Sequence, residues 1–241
     1  MRIIYYLYQL CIALPLFIVL TILTSIVTII GCMTGNGNFW GYWPGKIWSM
    51  VTLALFLIPV KVYGRENLQK GQSYVFVANH QGAIDIYLIY GHLFRNFKWM
   101  LKAGLRKIPF VGLACKKAGF IFIDHTSPSN IKASIVEAEK TLRDGMSLVV
   151  FPEGRRTFTG KVGPFKRGAF MIADELQLPV VPITINGSYD ILPRQRGMVN
   201  FLRRHQLTMT IHEPIMPEGK GNDNINATMQ RAREEIIKSL K

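Results

Sequence analysis

Cysteine is scarce and scattered in this chain. Cys11, Cys32 and Cys115 are odd in number, two of them lie in an apolar N-terminus, and no C-x-x-C pair exists. A disulfide framework and a thiolate metal cluster are therefore excluded. The five histidines, His80, His92, His125, His205 and His212, include no H-E-x-x-H, and no serine stands in a G-x-S-x-G elbow. Acidic residues are also short: 15 against 29 basic, a net charge of +14. Residues 1–60 contain no acid at all and only Arg2 and Lys46 as bases. Internal repeats and low-complexity linkers are absent. What remains, 241 residues, suffices for one domain with an appendage and a sizeable core.

The charge is unevenly placed. Residues 61–241 carry 27 basic and 15 acidic residues, a net +12, while the N-terminus is almost neutral. A cationic body of this kind suits the anionic cytoplasmic leaflet of a membrane, where each basic residue near the surface gains about 1 kcal/mol. Nucleic acid is the competing use of such charge, but no RNA- or DNA-reading motif accompanies it, so anionic membrane lipid is the expected partner and nucleic acid is not.

The N-terminus reads as a membrane element. Ile3 to Met33 is 31 residues without a formal charge. As a helix it would be ~46 Å long, more than the ~30 Å hydrocarbon core requires, and Pro15 is placed to kink it. A glycine-rich connector from Gly31 to Gly45 carries Phe39, Trp40, Tyr42 and Trp43, aromatics that favour the membrane–water interface. Ile47 to Val60 is a second apolar run, ~21 Å as a helix and short for a full span. A transmembrane hairpin and a re-entrant pair in one leaflet both fit. The first run is too long for a signal peptide, and no small-x-small cleavage site follows it.

Beyond residue 60, strands and helices alternate. Strands are expected at 73–78, 120–123, 147–151, 180–185 and 207–212. Helices are expected at 85–94, 129–144 with Gly145 as the stop, 167–176 and 226–240. That alternation predicts an α/β domain.

Two stretches carry chemistry. Asn79-His80-Gln81-Gly82-Ala83-Ile84-Asp85 follows the strand-like run Tyr74–Ala78, and Phe151-Pro152-Glu153-Gly154-Arg155-Arg156-Thr157 follows Leu148–Val150. Loops at strand ends are where a rigid scaffold presents reactive groups. On one continuous helix His80 and Asp85 would lie about 140° apart at ~3.6 residues per turn, so a turn at Gln81-Gly82-Ala83 must separate them. Asp85 then falls in the first turn of a helix, where a carboxylate is favoured. From there it accepts a proton from His80 Nδ1 and leaves Nε2 as a base, a Ser-His-Asp arrangement whose missing hydroxyl belongs to the substrate. Taken alone, such a pair is more often a satisfied loop histidine and a helix-capping carboxylate than a catalytic pair.

The second stretch changes the balance. Gly154 allows a sharp turn and close backbone approach, and Arg155 and Arg156 present planar forks that match phosphate oxygens. Lys161, Lys166 and Arg167 follow. Glu153 is positioned to hydrogen-bond a substrate hydroxyl or to hold an arginine. Together the two stretches suggest an enzyme that deprotonates a hydroxyl on a phosphate-bearing substrate.

In these motifs the chain resembles the 1-acylglycerol-3-phosphate O-acyltransferase (glycerophosphate acyltransferase) family. Residues 79–85 match the family's catalytic NHx4D motif, and residues 151–156 its FPEGTR motif with Arg155 in place of Thr. Gly119-Phe120-Ile121-Phe122-Ile123-Asp124-His125 resembles the intermediate motif with His125 in place of Arg, and Val180-Val181-Pro182-Ile183-Thr184-Ile185 the closing one. Lys102 matches a lysine that the family places near the phosphate, although Gly104 departs from the usual acid. The resemblance runs from about residue 61 to 215.

It implies a mixed central sheet flanked by helices, with residues 1–60 as a two-helix membrane anchor and 61–241 as the catalytic domain. It implies His80 and Asp85 as the catalytic pair and Lys102, Glu153, Gly154, Arg155 and Arg156 as substrate-binding residues. The acceptor would be lysophosphatidic acid and the co-substrate acyl-CoA or acyl carrier protein, with no metal or cofactor, at the cytoplasmic face of a bacterial inner membrane. A sister enzyme acting on glycerol-3-phosphate or a lyso-aminolipid stays open, as does a non-enzymatic basic protein that binds anionic lipid.

Overall fold

The computed structural model describes residues 2–123, 128–143, 146–194 and 201–241. Seven strands form one sheet: β1 (Val60–Tyr63), β2 (Val75–Ala78), β3 (Phe97–Lys102), β4 (Ile121–Ile123), β5 (Ser147–Val150), β6 (Val180–Asn186) and β7 (Leu207–Ile211). Their order is β1-β7-β6-β2-β5-β3-β4. Every pairing is parallel except β6 with β7. Parallel strands buried on both faces read as continuous apolar runs, and β2 and β5 are buried along their whole length. Pro182 sits in β6 beside its antiparallel neighbour. Its carbonyl accepts from His212 N, just past the last paired residue of β7, so the missing N–H faces a point where the ladder has ended.

Alternation along the strands divides the core into two layers. Tyr74, Phe76 and Ala78 point to one face with the helix Ile84–His92 and with Tyr42, Leu53 and Phe56 of the N-terminal segment. Val75 and Val77 point to the other, under the helices Pro128–Arg143, Gly168–Glu175 and Asn222–Ser239. The five expected strands and four expected helices are all present, with shifted ends. Gly145 and His125 lie outside the described residues.

Two strands escaped the sequence reading. β3 (Phe97-Lys98-Trp99-Met100-Leu101-Lys102) is interrupted by lysines, yet Lys98 is buried and its ammonium donates to Ala118 O at 2.7 Å. β1 lies at the end of the apolar run expected to be helical through Val60. That helix in fact spans Trp43–Leu55. Leu57, with φ of 53°, and Pro59 break the chain before β1 begins.

The N-terminal run is one continuous helix, Arg2–Met33, long and apolar enough to cross a membrane. Ahead of Pro15 it contains a π-helical turn, Gln9–Ala13, closed by Leu14 N donating to Gln9 O. A proline removes a bond and crowds the carbonyl four residues back, and the wider turn absorbs both effects. A short helix, Gly37–Trp40, links it to Trp43–Leu55. The phenolic hydroxyls of Tyr5 and Tyr8 donate to Phe56 O and Leu55 O, and Gln9 exchanges two hydrogen bonds with the Leu202 backbone. The hairpin is thus packed onto the α/β body and shares its core.

Candidate active site

The C-terminal ends of β2, β5 and β3 build the site. Asn79, the first residue after β2, is wholly buried; its amide donates to Ile185 O at 2.9 Å and accepts from Ile185 N at 2.7 Å. This pair of bonds ties the loop after β2 to β6. Asn79→Ala would leave two buried backbone groups unpaired, at about 1–3 kcal/mol each. We expect a loss of about 2–4 kcal/mol by denaturant unfolding in detergent, and a loss under 1 kcal/mol would contradict this anchoring role.

His80 comes next. Its Nδ1 lies 2.8 Å from Asp85 Oδ2, and the same oxygen accepts from Gln81 N at 2.7 Å and Gly82 N at 2.9 Å. Asp85 is fully buried in the first turn of the helix Ile84–His92. A carboxylate at Nδ1 accepts the proton of that nitrogen and leaves the lone pair on Nε2. The turn at Gln81-Gly82-Ala83 makes this contact possible. A Cβ on Gly82 would fall 2.5 Å from Ser188 Oγ and 3.1 Å from its carbonyl, so any larger residue would have to displace Ser188.

The loop after β5 braces the imidazole. The His80 amide donates to Glu153 Oε1 at 2.8 Å, and Thr157 N donates to His80 O at 2.9 Å. The ring stacks on Phe151 at 3.9 Å with an 11° interplanar angle, and Phe151 stacks on Trp99 of β3. His80 is held on both sides and keeps 14% of its side chain exposed. Glu153 makes contacts that its sequence position did not reveal. Its second oxygen accepts from Gly163 N at 2.7 Å, so both oxygens bind backbone amides rather than an arginine. Burial pushes its carboxyl pKa up, against the opposing pull of the two amide hydrogen bonds.

His80 opens into a cleft of ≈ 1020 Å³, counting its open mouth, that also receives Lys102, Gly154, Arg155 and Arg156. Gly154 has φ of +69°, a conformation other residues rarely adopt, and it turns the chain so that both arginines reach the cleft. The same cleft holds Arg194, which the sequence reading missed. Its guanidinium donates to Arg156 O at 2.8 Å and lies 4.0 Å over the Phe158 ring. Among the described residues none of these four cations forms an ion pair. Burial lowers the Lys102 pKa, and Lys166, Arg194, Arg155 and Arg156 lower it further, in that order. A cleft whose four cations form no ion pair among the described residues, set beside an imidazole with Nε2 free, is built for an anion that carries a hydroxyl.

Comparison with known proteins bears on this site. The Acyltransferase family model matches residues 59–186. A chloroplast 1-acyl-sn-glycerol-3-phosphate acyltransferase of Brassica napus is 31% identical over 196 residues, 81% of this chain and 54% of that protein. A human protein, 1-acyl-sn-glycerol-3-phosphate acyltransferase alpha, is 32% identical over 184 residues, 76% of this chain and 64% of its own length. The chain thus spans roughly half to two-thirds of these relatives. The crystal structure of the 1-acyl-sn-glycerophosphate acyltransferase PlsC from Thermotoga maritima superposes with a TM-score of 0.76 at 26% identity, over 98% of this chain and 99% of that one.

Proposed function

Because the chain belongs to the acyltransferase family, we propose that it moves a fatty acyl group from a thioester donor, acyl-CoA or acyl carrier protein, to the free hydroxyl of lysophosphatidic acid, giving phosphatidic acid. The observation that carries this reading is the His80–Asp85 pair facing a cleft with four cations that form no ion pair among the described residues. The named activities of the Brassica, human and Thermotoga relatives support it.

In this mechanism the cations Lys102, Arg155, Arg156 and Arg194 hold the acceptor's phosphate. His80 Nε2 takes the proton from the glycerol hydroxyl as its oxygen bonds to the thioester carbonyl carbon. The tetrahedral intermediate collapses, the C–S bond breaks, and the thiolate leaves with the proton returned from Nε2. Asp85 keeps the ring oriented and stabilises the transient imidazolium. Glu153 is a positioning residue that fixes the His80 backbone. The reaction takes place on a membrane, which we place at the cytoplasmic face of a bacterial inner membrane on the strength of the apolar helix Arg2–Met33 and the net +12 of residues 61–241.

The direct test is thiol release by the purified full-length protein, supplied with each donor in turn and with a panel of lysolipids and glycerol-3-phosphate. Turnover with lysophosphatidic acid alone supports the proposal; preference for glycerol-3-phosphate or a lyso-aminolipid replaces the acceptor, and no release with any pair removes the enzyme reading.

Arg156→Ala tests the clamp separately. A charge-assisted hydrogen bond contributes about 1.5–3 kcal/mol, so the KM for the acceptor should rise about 10- to 100-fold with a smaller change in kcat. A change confined to the KM of the acyl donor would move the phosphate site elsewhere.

A further inference from the structure

We propose that the segment 105–117 is a second membrane-contacting element, one that seats the mouth of the cleft against an anionic bilayer. The inference rests on the membrane-surface placement given above but not on the acyl-transfer chemistry.

The sequence isolates this region by charge. Residues 95–123 contain seven basic residues and no acid. Three have internal duties: Arg95 donates to Leu68 O and Gln69 O, Lys98 to Ala118 O, and Lys102 lines the cleft. The other four, Arg106, Lys107, Lys116 and Lys117, are exposed, and none forms an ion pair among the described residues, although the Arg106 guanidinium lies 4.5 Å over the Phe122 ring.

Apolar side chains are interleaved with these cations. Ile108 is 43% exposed, Phe110 52% and Leu113 48%. Phe110 also adopts φ of +60°, a backbone conformation unfavourable for an aromatic residue, at the start of the helix Val111–Lys117. Backbone strain that ends in an exposed ring is not repaid by the protein's own core. Strained positions of this kind persist where the surface is used. Cations mixed with half-exposed aliphatic and aromatic side chains fit the headgroup region of a bilayer, which offers phosphate and hydrocarbon a few ångströms apart.

Position favours the same partner. The helix Val111–Lys117 lies beside the long N-terminal helix, and Val111, Ala114 and Cys115 line a cavity between them with Thr21, Thr24, Ser25 and Thr28, while the apolar side chains of the long helix face outward. The patch is therefore continuous with the surface already assigned to lipid. At the other end of the segment, Leu105 lines the cleft beside His80 and Lys102. A lipid acceptor leaving the bilayer here meets the phosphate clamp without crossing water.

The test reads depth, not catalysis. Cys11, Cys32 and Cys115 are replaced by Ala in the full-length protein, and a single cysteine is introduced by Phe110→Cys, Leu113→Cys or, as a control on the opposite side of the sheet, Ala227→Cys. Each carries an environment-sensitive fluorophore and is reconstituted into phosphatidylglycerol–phosphatidylcholine vesicles with brominated acyl chains. Labels at 110 and 113 should lose most of their emission to the bromolipid while the label at 227 keeps its own. Adding Lys107→Glu, Lys116→Glu and Lys117→Glu should restore emission at 110 and 113. Labels at 110 and 113 that stay as bright as the one at 227, on protein that floats with the vesicles, overturn the inference. So does a label at 110 that responds only to added soluble acyl carrier protein, since the patch would then be a protein dock. Quenching in a protein that transfers no acyl group leaves this inference standing and removes the proposed reaction instead.

Discussion

His80→Ala should reduce acyl transfer by about 10²- to 10⁴-fold, the usual cost of losing a general base, with KM for either substrate little changed. The geometry makes the prediction sharp. Nδ1 is committed to Asp85 at 2.8 Å, so Nε2 is the single basic atom the ring offers to the cleft. The loop is held through backbone bonds, His80 N to Glu153 and Thr157 N to His80 O, and these survive loss of the imidazole. The variant should therefore stay folded by circular dichroism and thermal unfolding in detergent. Asp85→Asn should cost less, because the ring remains and only its orientation and the stabilisation of the imidazolium are lost. The measurement is single-turnover acyl transfer under saturating lysophosphatidic acid. Near-normal turnover in a folded His80→Ala protein would sink the mechanism.

The site was more legible in the sequence than the scaffold around it, for a physical reason. His80 and Asp85 act through one turn, and Glu153 to Arg156 through another, so their spacing is local and a single chain shows it. Residues that join the site from a distance leave no such mark. Trp99 reaches it as the outer ring of a stack through Phe151, and Arg194 arrives 38 residues after Arg156 to donate to its carbonyl. Charge shows in a sequence, but direction does not. Glu153, set among arginines, reads as a partner for substrate or cation, and only the fold reveals that both its oxygens are taken by the His80 and Gly163 amides.

The same holds for strands. β2 and β5 are continuous apolar runs and were expected close to where they lie. β3 was not, since its buried Lys98 looks like a surface residue until Ala118 O is found beside it. The end of the second N-terminal helix was readable after all. Ile58 precedes Pro59, and a residue before proline is biased out of the helical region, which places the break ahead of Val60.

The second large effect concerns the membrane. Leu16, Val19 and Leu23 lie at i, i+3 and i+7 on the long N-terminal helix and are about half exposed, so they line one outward face and contribute little to the core. Replacing all three with Lys should abolish insertion and leave only salt-sensitive binding, because each lysine at the centre of an inserted helix costs about 2.5–3.5 kcal/mol. Truncation would be a poorer test. Tyr42, Leu53 and Phe56 share one buried cluster with Tyr90, Phe97 and Trp99, so deleting residues 1–60 opens the body of the protein as well as releasing it. The measurement is vesicle flotation at low and at high salt. At ~1 M salt the screening length falls to about 3 Å, which removes the attraction of the basic surface and leaves apolar insertion to hold the protein. Wild-type protein should float under both conditions. The triple variant should float at low salt on its remaining cations and sediment at high salt. Wild-type protein released by salt alone, or a triple variant that floats as well as wild type at high salt, would show that the helix Arg2–Met33 is not buried in lipid.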